Sequence, residues 1–370
     1  MQNNIDKVNS LGQSIWYDNI SKAMIMSGEL KDLIGNGISG LTSNPTIFFK
    51  AITGSIDYQT QLNKLALEEV DTEHIYESLV IEDIQAVADL LQPVYDKTDG
   101  ADGYVSLEVN PNLAHETDKT IVEAVRLFET VNRKNLMIKV PATPSGMPAI
   151  RSLIGKGINV NVTLIFSLKA YAAVRDAYIS GLNDFADIGG DVSKVASVAS
   201  FFVSRVDTLV DKELLAMRFE SQGKFKDLLG KAAIANAKLA YKDFKKDFYS
   251  DKFESLKQRG GQVQRPLWAS TGTKNLEYSD VLYPESLVGN DTVNTMPQLT
   301  LESFLDHGCV TNSLEKDGNE LEEYFEKLNS FNINIDNITE ELLEDGVAQF
   351  VDSYNELIDA INTKCVEFRG

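Results

Sequence analysis

Apolar positions along this chain follow two rhythms that take turns. Eight short runs alternate apolar with polar residues or stay nearly continuous, as strands do. They are SIWYD (14–18), ISGLTSN (38–44), YVSLEVN (104–110), LMIKV (136–140), INVNVTLIF (158–166), VASVASFFVSR (195–205), PLWAS (266–270) and TVNTM (292–296). Longer stretches between them space apolar residues by three and four, as helices do: LVIEDIQAVADLLQPVY (79–95), KTIVEAVRLFETVN (119–132) and SLKAYAAVRDAYISG (167–181), the last ending on a glycine stop signal. Strands alternating with helices predict parallel βαβ units of the α/β class, and eight units close a (β/α)8 TIM barrel. A doubly wound open sheet gives the same alternation, so strand order decides between the two.

The polar residues of these runs come late, as in Asp18, Asn44, Glu108, Lys139, Asn161, Thr163 and Arg205. Four runs stop at an X-Pro step: Asn44-Pro45, Asn110-Pro111, Val140-Pro141 and Met296-Pro297. A barrel of this kind carries its chemistry at the C-terminal ends of its strands, where these residues fall. From residue 312 the character changes. EKDGNELEEYFEKLNSFNINID is acidic and ends loop-like, and apolar residues at 343, 347, 350, 354, 357 and 361 then mark a long amphipathic helix. The expectation is one domain over 1–370, with 312–370 a helical C-terminal extension packed on the barrel as a cover.

Composition narrows the function. The 370 residues are 43% hydrophobic and 24% charged, ample for a large core. Net charge is −20, from 55 acids against 35 bases, which argues against a nucleic-acid surface and requires any anionic ligand to meet a local cluster of bases. Two cysteines and three scattered histidines show no metal-ligand spacing. MQNNIDKVNS has no basic and apolar leader pattern, and no run reaches membrane-spanning length. A cytoplasmic protein without metal or cofactor, and without a membrane partner, is expected.

Two motif matches carry nothing. GNGISG (35–40) spells a dinucleotide fingerprint, but it follows a helical pattern and opens a strand, the reverse of the required order. It reads as a helix cap and turn. NVT, NDT and NIT match a glycosylation acceptor without a leader to make them relevant.

Lys139 is different. It sits opposite Leu136, Ile138 and Val140 near the end of an apolar strand, where an ammonium is expensive unless paired or held neutral. An edge-strand lysine or a structural ion pair would also place it there. Its companions weigh against both. Glu108 shares a face with Ser106 and Tyr104; Asn159, Asn161 and Thr163 share another; Asp18 falls in register with Ser14 and Trp16. In a closed barrel these faces converge on the mouth. One lysine, two carboxylates, asparagines and a threonine suggest amine catalysis on a carbonyl. A neutral amine attacks a ketone, and carboxylates move the protons.

GLTSNPTIFF (40–49) and NLMIKVPATPSGMPAIRSLIGKGINVNVTLIFS (135–167) resemble the two transaldolase signatures, the second containing the Schiff-base lysine. The resemblance continues in order through SIWYDNI, SLEVNPNLA, SVASFFVSRVD, RPLWASTGTKN and DTVNTMP, and is closest to the long-chain bacterial subgroup. It implies that Lys139 is the nucleophile, that Asp18 is the acid/base at the breaking bond, and that Glu108 with Thr163 holds the water of imine formation. It further implies that Asn44 and Asn161, with Ser200 beside them, bind dihydroxyacetone hydroxyls, and that Arg205 and Ser270 grip a phosphate. Many transaldolases carry a second arginine shortly after that serine. Here ASTGTKN offers Lys274 instead, a point charge without a bidentate fork. Relatives that release free dihydroxyacetone typically carry Gln at the position of Glu108 and Tyr at that of Phe202, so both positions favour transfer over aldol cleavage. The resemblance implies sugar phosphates as substrates and no cofactor; a homodimer is kept as an expectation.

Overall fold

Eight strands run in chain order around a closed parallel barrel: β1 (Gln13–Tyr17), β2 (Gly40–Leu41), β3 (Tyr104–Glu108), β4 (Leu136–Pro141), β5 (Val160–Ile165), β6 (Ser197–Phe202), β7 (Arg265–Ala269) and β8 (Thr292–Met296). β8 pairs back onto β1, with Gln13 opposite Thr292 and Tyr17 opposite Met296. Strand order is unbroken, which rules out the doubly wound sheet and establishes a (β/α)8 TIM barrel with additional C-terminal helices. This computed structural model describes residues 3–68, 70–216, 225–316 and 320–369.

Trp16, fully buried, occupies the barrel beside β2, and Gly40 has no side chain for that reason: a Cβ there would lie 2.4 Å from the indole. Asp102, just before β3, ties the N-terminal end of the barrel together. It accepts from Ser14 Oγ, from Trp16 Nε1 at 2.8 Å and from Ser39 Oγ at 2.9 Å, with Arg265 3.5 Å away.

Four local expectations change. The run 38–44 contributes only a two-residue strand, because Asn44 turns the chain and caps the helix Pro45–Gly54 with its side chain. The run 195–205 ends as a strand at Phe202, so Arg205 lies in the first turn of the helix Ser204–Ala216. The helical pattern that precedes GNGISG, Lys22 to Leu33, is two helices, Lys22–Ser27 and Glu29–Gly35, split by Gly28 at φ +85°. Gly181 does not stop its helix, which continues to Asp187. A Cβ there would come within 2.7 Å of Arg151 O and Ile154 Cβ, so the glycine serves close packing of the helix Gly146–Ile154 against its neighbour.

The C-terminal helix Ile335–Arg369 is 35 residues long and buries Leu342, Val347, Phe350, Tyr354, Leu357, Ile361 and Cys365. It anchors to the helix Pro45–Gly54: Thr46 Oγ1 donates to Ser353 Oγ at 2.9 Å, and Lys364 Nζ to Ile52 O at 3.1 Å. Among the described residues no helix is long and apolar enough to cross a membrane.

Candidate active site

Strand register builds the centre. Glu108 on β3 stands opposite Lys139 on β4, which stands opposite Asn161 on β5. Side chains of lateral partners in a parallel sheet point the same way, so three polar groups form one belt inside the mouth. Lys139 is 5% exposed. Its Nζ lies 3.4 Å from Glu108 Oε2, donates to Ser43 O at 3.0 Å and sits 5.5 Å from the Phe350 ring centre. The buried ammonium therefore has a carboxylate, a carbonyl and an aromatic face around it.

Burial pushes the Glu108 carboxyl up to about 7, against the opposing pull of Lys139 and with some help from the charge of Asp18. Asp18 follows β1 and is held by its N–H bond to Met296 O at 2.9 Å. Its carboxyl is also raised by burial, countered first by the Thr42 hydroxyl and then by the charges of Lys139 and Lys274. Thr42 donates to Asp18 Oδ1 at 2.6 Å, and Thr295 Oγ1 lies 2.6 Å from Thr42 Oγ1. Thr42 has one proton and spends it on Asp18, so Thr295 donates to Thr42. A two-hydroxyl chain thus aims at the Asp18 carboxylate.

A mouth cavity of about 680 Å3, counting space open to solvent, gathers most of the residues that the sequence singled out. Lys139, Asp18, Thr163, Asn44, Ser200, Phe202, Arg205, Ser270 and Lys274 all line it. Glu108 and Asn161 do not. Glu108 backs onto a neighbouring cavity behind β3. Asn161 is fully buried, giving its amide N–H to Ser106 Oγ at 2.9 Å and accepting from Ser200 Oγ at 2.7 Å. Among the described residues, the buried Thr163 Oγ1 finds no hydrogen-bond partner.

Two further cations, Arg205 and Lys274, line the same cavity. Arg205 lies 5.5 Å over the Phe202 ring, and burial holds its guanidinium below its ordinary value, with Asp345 opposing. Ser270 follows β7 at φ +56°, an uncommon backbone for a serine, and its hydroxyl lies 2.9 Å from Ser204 Oγ. Lys274 reaches the cavity from the segment after β7, and its charge acts on the Asp18 carboxyl. Sequence reasoning did not single out Thr42, Ser43, Thr295 or Phe350. Thr42 alternates with Gly40 and Asn44 and was open to discovery on that face; Ser43 acts through its backbone carbonyl, which no side-chain pattern reveals.

Fold and site together define a class: a (β/α)8 barrel enzyme with a lysine amine and two carboxylates at the end where such barrels carry chemistry. The model of the family "Transaldolase/Fructose-6-phosphate aldolase" matches residues 15–361. The chain is 45% identical to the transaldolase of Trichodesmium erythraeum over 98% of its length and 97% of that protein. It is 44% identical to transaldolase 2 of Nostoc punctiforme, with the same coverage, and 45% identical to the transaldolase of Mycolicibacterium smegmatis over 96% of each chain. The chain belongs to the transaldolase/fructose-6-phosphate aldolase family.

Proposed function

We propose that the protein is a transaldolase that reversibly moves a dihydroxyacetone unit from a ketose phosphate to an aldose phosphate, as in the non-oxidative pentose phosphate pathway. The donors are fructose 6-phosphate or sedoheptulose 7-phosphate, and the acceptors glyceraldehyde 3-phosphate or erythrose 4-phosphate. The observation that carries this reading is the Lys139 amine at the mouth, 3.4 Å from Glu108 Oε2 and in one cavity with Asp18.

Lys139 passes its ammonium proton to Glu108, 3.4 Å away, and the freed amine attacks C2 of the ketose. Glu108, with a pKa of about 7, exchanges protons near neutrality and delivers one to the carbinolamine hydroxyl, which leaves as water. The unpartnered Thr163 hydroxyl is the second group able to hold that water. The iminium then draws electrons from the C3–C4 bond while Asp18 takes the proton of the C4 hydroxyl. An aldose phosphate departs and an enamine remains on Lys139. A second aldose phosphate accepts the enamine carbon, Asp18 returns the proton, and water releases the new ketose. Asn44 and Ser200 face the dihydroxyacetone end, with Asn161 fixing Ser200 from behind. Arg205, Ser270 and Lys274 hold the phosphate at the other end.

Phe202 brings no hydroxyl to the enamine, so its carbon waits for an acceptor rather than a proton. That favours transfer over release of free dihydroxyacetone.

Borohydride reduction in the presence of fructose 6-phosphate tests the reading. A dihydroxyacetone adduct is expected on Lys139 after digestion. In Lys139→Ala the adduct is absent and turnover falls on the order of 10⁴-fold or more. An adduct elsewhere, or none in a folded enzyme that binds the sugar phosphate, refutes the mechanism. Dihydroxyacetone accumulating without acceptor as fast as transfer proceeds with one would make the protein an aldolase.

A further inference from the structure

Among the buried carboxylates with no part in the chemistry above, two share one helix. Asp207 and Asp211, 2% and 7% exposed, lie on the helix Ser204–Ala216, whose first turn carries Arg205. Each accepts one backbone N–H and one tyrosine hydroxyl. Asp207 takes Ala233 N–H at 2.7 Å and Tyr283 O–H at 2.9 Å. Asp211 takes Gly230 N–H at 3.0 Å and Tyr278 O–H at 2.7 Å. Burial lifts the Asp207 carboxyl to about 7 and raises that of Asp211. Buried acids cost stability that apolar residues of similar size would not, so their retention calls for a role.

Both tyrosines belong to the segment after β7, the one that brings Ser270 and Lys274 to the mouth. Thr271 Oγ1 pins the start of that segment to β8, at 3.0 Å from Asn294 Oδ1 and 3.1 Å from Thr295 O. Thr273 Oγ1 reaches across the Lys274 tip to Ser279 O at 2.9 Å. Tyr278 and Tyr283 then fasten its far side to the helix of Arg205. The seat of Tyr278 is fitted to it: Gly230 stands at φ +69°, and a Cβ there would lie 2.8 Å from the tyrosine ring. Lys274 itself is exposed. A lysine on a loose loop would lose much side-chain and loop entropy on gripping an anion, and a braced loop reduces that loss.

We propose that Tyr278 and Tyr283 are positioning residues: through Asp211 and Asp207 they lock the Lys274 loop to the Arg205 helix and set the gap between two cations to suit one phosphate monoester. This rests on the assignment of Arg205 and Lys274 to the substrate phosphate. The two carboxylates act as struts between the halves of an anion site that they never touch. The device compensates for a lysine that lacks an arginine's fork.

The test is steady-state kinetics of Tyr278→Phe and Tyr283→Phe, with Tyr278, half-buried, the safer variant for folding. For Tyr278→Phe the KM for fructose 6-phosphate is expected to rise about tenfold, with kcat within about twofold, as the loss of one hydrogen bond to a charged group gives. The inhibition constant of inorganic phosphate should rise by the same factor, while kcat/KM for unphosphorylated fructose stays put. In a Lys274→Ala background, Tyr278→Phe should add almost nothing, because its effect runs through Lys274. Unchanged KM and phosphate inhibition in both tyrosine variants, alongside a Lys274→Ala enzyme that loses both, would overturn the proposal and leave the phosphate assignment standing. Phosphate inhibition unchanged in Arg205→Ala and in Lys274→Ala would overturn that assignment, and the proposal with it.

Discussion

Two carboxylates flank one amine in this mouth, and burial raises both, yet their surroundings differ. Glu108 has the Lys139 ammonium as its near partner and reaches about 7. Asp18 receives the Thr295–Thr42 hydroxyl chain, which favours its charged form. In the mechanism proposed above, that difference suits one group to proton exchange during imine chemistry and the other to accepting a hydroxyl proton at the breaking bond. Two outcomes follow. Glu108→Gln keeps shape and removes the titration near 7; kcat should fall 10²- to 10³-fold (order of magnitude), and the limb of the pH–rate profile near neutrality should vanish. Retention of that limb would assign it to another group. Thr42→Val removes the donor to Asp18, so the Asp18 pKa moves further up. The acid limb of kcat should shift about one unit to higher pH, since a hydrogen bond to a charged group is worth about that much. An unmoved limb would mean that Asp18 is not the group read by that limb.

At the level of elements, the C-terminal helix shows what the sequence could and could not reveal. Its apolar period was legible, and the helix Ile335–Arg369 buries that stripe, because such a pattern demands a surface to bury against. That its Phe350 would lie over Lys139 was not legible, since a helical stripe does not say which part of the barrel lies beneath it. The mouth was legible because strand alternation and X-Pro stops place the polar residues at one end. Arg205 and Asn44 were named as residues but placed as strand positions, because at both places the chain leaves its strand and enters a helix within four residues. Gly181 was misread since a glycine in a helix signals either an end or a close contact, and only the neighbouring helix tells which. Gly346 poses the same question in the C-terminal helix. A Cβ there would lie 3.0 Å from Leu164 Cδ2, and Leu164 is itself buried at φ +58° where the β5–β6 register shifts, one residue past Thr163. A mid-helix glycine costs about 1 kcal/mol, offset here by bringing the helix down onto the rim. Gly346→Leu should lift the helix and withdraw Phe350, lowering Tm by several degrees and kcat at least about fivefold, read by thermal unfolding and the coupled transfer assay. A more stable variant with full activity would show that the helix merely rests on the mouth.

Across the whole molecule, acids outnumber bases and the net charge is −20, so the field of the protein repels an anionic substrate everywhere except at a local cluster such as Arg205 with Lys274. The same excess of acid shapes stability against pH, and the sign can be worked out. Surface carboxyls such as Asp89 beside Arg133 and Asp184 beside Arg151 are held below their ordinary values. Their contribution is present above the unfolded pKa and is lost as pH falls, but exposed pairs are each worth little. Five carboxyls go the other way: burial raises Asp18 and Asp211, and it takes three more furthest, Asp83 to about 6 and Glu108 and Asp207 to about 7, from ordinary values of 3.8, 4.5 and 3.8. The folded state then binds more protons than the unfolded one, so stability falls with rising pH. The contribution of those three is full below the unfolded pKa and is lost as pH climbs through 6 to 7. Ionising them also adds like charge to an anionic molecule. The two limbs together place the stability maximum at about pH 5–6, with Tm declining towards pH 8 and levelling once all three are charged. Thermal unfolding measured from pH 4 to pH 9 checks this, and Asp207→Asn should flatten the decline by the share of that one group. A Tm that stays constant from pH 6 to pH 8 would mean that the three carboxyls are already ionised in the folded protein, and Glu108 could not then be the neutral-pH proton donor of the imine step.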